Sequence, residues 1–63
     1  MSQGDDYIIE FTVIGNVMKV TAIDPISGTE VSMVGSPVMS QEFLAKRAVK
    51  KLEYVMNKRS GGY

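Results

Sequence analysis

Apolar and polar residues alternate in three short runs along the first half of the chain, and a repeat near 3.6 residues takes over in the second half. Residues 7–14, Tyr-Ile-Ile-Glu-Phe-Thr-Val-Ile, are rich in the β-branched and aromatic side chains that suit a pleated, half-buried surface. Gly15-Asn16 follows as a two-residue hairpin turn, because both residues tolerate the positive φ of a primed turn. Residues 17–24 repeat the pattern as a second strand. Asp24-Pro25-Ile26-Ser27-Gly28 then turns the chain: proline presets φ, aspartate bonds the backbone ahead of it, and Gly28 takes the left-handed position. Residues 29–34 make a third strand, ended by Gly35-Ser36-Pro37.

These two turns dictate a register. The first loop pairs Ile14 with Val17, Thr12 with Lys19, Glu10 with Thr21 and Ile8 with Ile23. A four-residue second loop pairs Asp24 with Thr29, Ala22 with Val31 and Val20 with Met33. One face then gathers Ile9, Phe11, Val13, Met18, Val20, Ala22, Val31 and Met33, without a charge among them. The other face carries Glu10, Thr12, Lys19, Thr21, Glu30 and Ser32. A slip of one residue would turn every side chain over, so the agreement of two independent turns on one apolar face specifies an antiparallel meander.

From Ser40 the pattern becomes helical. Ser40 is the natural N-cap, Met39 and Leu44 have the spacing of a hydrophobic staple, and Glu42 complements the positive end of the dipole. A full capping box is absent, because position 43 is Phe. Lys58 and Arg59 complement the negative end. At 100° per residue, Leu44, Ala45, Ala48, Val49, Leu52, Val55 and Met56 fall within an arc of about 140°, the stripe expected to cover the apolar sheet face. The fold class predicted is α+β, a three-stranded antiparallel β-meander with one C-terminal helix packed on one face (βββα). Residues 1–63 form a single domain, with an ordered core over 7–58 and flexible ends at 1–6 and 59–63.

Composition narrows the functional classes. A chain of 63 residues buries only about 60% of its unfolded surface, so one core is marginal and self-association is a natural supplement. Cysteine and histidine are both absent, which removes disulfides, thiolate ligands, the commonest metal ligand and the commonest general base. Ser27, Ser32, Ser36 and Ser40 have no histidine to activate them, and Gly35-Ser36-Pro37 is too short for a phosphate loop. Asp5-Asp6 reads as solvated terminal charge. No catalytic, cofactor-binding or metal site is therefore expected. The opening residues Met1-Ser2-Gln3-Gly4-Asp5-Asp6 are acidic and lead into no long apolar run, unlike a secretory signal. No stretch approaches the roughly 20 apolar residues of a membrane span, and a cytoplasmic protein is expected.

The neutral sum conceals a polar distribution of charge. Residues 1–42 set Asp5, Asp6, Glu10, Asp24, Glu30 and Glu42 against Lys19, a net of −5. Residues 43–63 set Lys46, Arg47, Lys50, Lys51, Lys58 and Arg59 against Glu53, a net of +5. On the helical wheel Phe43 and Tyr54 project within about 20° of each other, away from the core stripe. With Arg47, Lys50, Lys51 and Lys58 around them, they form the candidate partner surface. The ordinary alternative is that Phe43 folds onto the loop before the helix and Tyr54 is simply exposed.

A second candidate surface lies on the polar sheet face. Ile8 and Ile23 pair at one end, Ile14 and Val17 at the other, with Val34 beside Lys19. Read as more than strand formers, these five make a dimer face or the fringe of strand addition along an edge. Nucleic acid is the competing partner. The run Ala45-Lys46-Arg47-Ala48-Val49-Lys50-Lys51-Leu52 after three strands resembles the second half of double-stranded-RNA-binding domains, but their first helix is missing. Integrase arm-type and plant DNA-binding domains lay a comparable sheet in the major groove. Here that face offers Glu10 and Glu30 against Lys19, which disfavours phosphate contact, so any nucleic acid would meet the helix.

At Glu10-Phe11, Gly15-Asn16, Val20, Ala22-Ile23-Asp24 and Gly28-Thr29-Glu30-Val31 the chain resembles a family of short uncharacterised α-proteobacterial proteins, a domain of unknown function. The likeness spans about residues 8–35. It implies a stand-alone protein of this length and supplies no activity, ligand or functional residue. The expectation is a non-catalytic interaction or oligomerisation module, homodimeric, with nucleic-acid binding by the helix as the alternative.

Overall fold

The computed structural model describes residues 7–59. Strands β1 (Ile8–Ile14), β2 (Val17–Ile23) and β3 (Glu30–Gly35) precede helix α1 (Gln41–Arg59). The sheet is antiparallel in the order β1-β2-β3, the βββα arrangement the pattern predicts. The pairings read from the turns are present in the ladder, from Ile8 with Ile23 to Ile14 with Val17, and Ala22 with Val31 and Val20 with Met33. Asp24 and Thr29, expected as a further pair, lie just outside the strands and are joined by a turn hydrogen bond. The helix extends through Arg59, one residue into the stretch expected to fray; residues 1–6 and 60–63, with Asp5-Asp6, lie outside the described residues.

Local chemistry explains each junction. Gly15 has φ +59° while Asn16 keeps a negative φ, the pattern of a type II′ turn, so only the glycine needs the left-handed freedom. In the second loop Asp24 donates its N–H to Thr29 O (2.8 Å), closing the expected four-residue connection. The Asp24 carboxylate accepts from Ile26 N (3.2 Å) and Ser27 Oγ (2.9 Å), an Asx turn that satisfies this buried side chain. Ser40 Oγ accepts from Phe43 N at 3.0 Å, the N-cap contact. Leu44 and Met39 both approach Gly35, where an added Cβ would lie 2.7 Å from Leu44 Cδ2 and 3.4 Å from Met39 Sδ.

The core consists of Met18, Val20 and Ala22 from β2 and Leu44, Ala48 and Leu52 from α1, with Tyr7, Ile9, Phe11, Val31, Met33 and Met56 packed around it. One member of the predicted buried face does not belong: Val13 is 60% exposed. The helix lies across β2 and β3 rather than over the middle of all three strands. It begins beside Gly35, and Val13 stands two strands away, about 10 Å, beyond its reach. Ala45, Val49 and Val55 are consequently half-buried instead of enclosed.

Candidate functional site

Four of the six residues expected on the partner surface converge. Arg47, Lys50, Lys51 and Tyr54 line an open groove of about 590 Å³, together with Met33 and Val34 of β3. The groove exists because α1 rests against β2 and β3 and its basic flank turns toward the free edge of β3. Lys51 fixes one wall by donating from Nζ to the Ser32 backbone oxygen at 3.0 Å. None of the six lining side chains is a carboxylate, so the three cations face the groove without an acid between them.

The remaining two, Phe43 and Lys58, stand at either end of this flank. Phe43 is 47% exposed and Tyr54 56% exposed. Each ring carries a cation from one helical turn further on: the Arg47 guanidinium carbon lies 5.6 Å from the Phe43 centroid, and Lys58 Nζ 5.4 Å from that of Tyr54. Such i,i+4 contacts contribute about 0.5–1 kcal/mol each at exposed sites. They also occupy one face of each ring. Glu42 and Lys46 pair at 3.9 Å with both side chains exposed, a contact of little consequence for stability.

On the opposite sheet face Ile8, Ile14, Val17 and Val34 are exposed, and Ile23 is half-buried. They remain in two groups, one at each end of the sheet, separated by Glu10, Thr12, Lys19, Thr21 and Ser32. Thr21 and Ser32 hydrogen-bond to each other across the strands at 2.9 Å. Sequence reasoning assigned Met33 to the core and Val34 to the sheet face, and both also line the groove. Their neighbouring positions on the edge strand were the available signal; the missing information was which edge the helix would border.

Residues 4–59 match the model of a family described as Domain of unknown function (DUF6898). The chain belongs to this family. The match continues beyond the strands that carry the resemblance and takes in the whole groove. No match was found among curated proteins or among solved structures. Among the described residues no helix is long and apolar enough to cross a membrane, and no group of three or more carboxylates, histidines or cysteines is placed to hold a metal ion.

Proposed function

We propose that this chain is a non-catalytic interaction module that receives an acidic segment of a protein partner in the groove between β3 and α1. The observation that carries the reading is the convergence of Arg47, Lys50 and Lys51 with Tyr54 on one groove that, among the described residues, no carboxylate lines. Cations offer charge-assisted hydrogen bonds to carboxylates, while Met33, Val34 and the tyrosine ring supply apolar surface for the stems of such side chains. The absence of histidine and cysteine from the sequence supports a binding role over catalysis. The α-proteobacterial source and cytoplasmic setting implied above belong to the same proposal.

Nucleic acid is the weaker reading. Its bases would need ring faces to stack on, and one face each of Phe43 and Tyr54 already holds a cation. Titration of the labelled protein with a glutamate-rich peptide is expected to move the amide resonances of Val34, Arg47, Lys50, Lys51 and Tyr54. A glutamine-substituted peptide should leave them in place, and Arg47→Glu with Lys50→Glu should weaken binding at least tenfold. No shift with the acidic peptide at low salt, or larger shifts with a single-stranded oligonucleotide, would overturn the proposal.

A further inference from the structure

The two edges of the sheet differ in how they are closed. At β3, Lys51 Nζ holds the outward-facing oxygen of Ser32. At β1, the two-residue turn makes Ile14 and Val17 a hydrogen-bonded pair, and the alternation of an antiparallel ladder then turns the backbones of Ile8, Glu10, Thr12 and Ile14 toward β2. Ile9, Phe11 and Val13 therefore direct their N–H and C=O groups to the open edge. The strand runs without a bulge or proline and has one charge, Glu10, so among the described residues it lacks the usual devices that block edge pairing.

The same three residues carry the side chains that α1 leaves partly uncovered. Phe11 and Ile9 are half-buried and Val13 is exposed, whereas Glu10 and Thr12 point to the other face. The geometry points to a second copy of this chain as the occupant of that edge, with β1 pairing antiparallel to its counterpart about a two-fold axis at Phe11. In this register Phe11 meets Phe11 of the second copy and Ile9 meets Val13. Each of these pairs exchanges two backbone hydrogen bonds.

Charge selects this register among the alternatives. A shift that centred the axis on Glu10 would set two carboxylates directly opposite, which is destabilising. A shift toward the turn would leave Ile8 unpaired. With the axis at Phe11, Glu10 faces Thr12 and Ile8 faces Ile14. The two apolar ends of the outer sheet face then meet: Ile23 and Ile8 of one copy continue into Ile14 and Val17 of the other. That continuity accounts for the exposure of Ile8 (46%) and Ile14 (53%) on the face that also carries Glu10, Thr12 and Lys19. On the inner face the two helices flank a shared apolar strip, closing what one helix cannot reach.

The chain has no cysteine, so engineered disulfides can read the register directly. Glu10 and Thr12 would form a non-hydrogen-bonded pair with Cα atoms about 4.5 Å apart, within disulfide range. Oxidising a mixture of Glu10→Cys and Thr12→Cys chains should give a cross-linked heterodimer. Either variant alone should give little, since its own copies lie on the diagonal, about 7–8 Å apart. Light scattering of the unmodified chain should return twice its 6.9 kDa mass, and Val13→Lys should return the monomer with unchanged circular dichroism. A monomer for the unmodified chain at several hundred micromolar would overturn the proposal. So would a dimer whose mixed variants do not cross-link.

Discussion

Gly35 shows how closely one residue can be constrained by a distant one. Its missing side chain leaves room for Leu44, and a Cβ there would approach Leu44 Cδ2 to 2.7 Å. Leu44 is fully buried, so the leucine has no open volume into which to retreat. Gly35→Ala is expected to destabilise the fold by about 1–2 kcal/mol, an overpacking effect, read as a lower urea midpoint at unchanged slope. Asp24 is constrained in the opposite sense, by bonds it makes. Its position before proline announced a turn in the sequence. The structure adds that the side chain is buried and that Ile26 N and Ser27 Oγ are its partners. Val13 is the residue that alternation misplaced, because alternation names a face and not the extent of its cover.

At the scale of the element, α1 begins where Ser40 bonds Phe43 N. Ser40→Ala should cost about 1 kcal/mol, visible as a lower thermal midpoint and as fraying of the first turn in amide exchange. The strands were legible in the sequence down to their partners, because a two-residue turn and a four-residue turn leave no freedom in the ladder between them. The buried stripe of the helix was legible as well, with Leu44, Ala48 and Leu52 at its centre. Its flanks were less so. Tyr54 and Arg47 read as facing away from the core, yet they border β3, since the helix is displaced toward that edge.

At the scale of the molecule, six of the described residues form the enclosed core. A core of this size supplies only a few kcal/mol of net stability. Leu52→Ala, which empties the C-terminal part of the buried stripe, typically costs about 2–5 kcal/mol. It is therefore expected to leave much of the chain unfolded at 25 °C, as loss of the helical circular dichroism signal would report. The same economy makes the bare edge of β1 consequential. Pairing there would add backbone hydrogen bonds and apolar burial that a single copy cannot supply, while the basic groove on the far side of the helix would stay open.

What the sequence by itself determined is everything set by neighbours along the chain: three strands, their register, the two sheet faces, the helix cap and the helix stripe. Those features follow from periods of two and 3.6 residues and from turn chemistry, all of which act over a few positions. The tertiary structure decided where the helix settles. β3 ends at Gly35 and α1 starts at Gln41, so a short connection lands the helix beside its own strand. Leu44 then fits over Gly35, and β1 is left at the far side. From that single displacement come both the groove of cations beside β3 and the uncovered apolar flank of β1. Neither is periodic in the chain, because each depends on the distance between surfaces that only folding brings together.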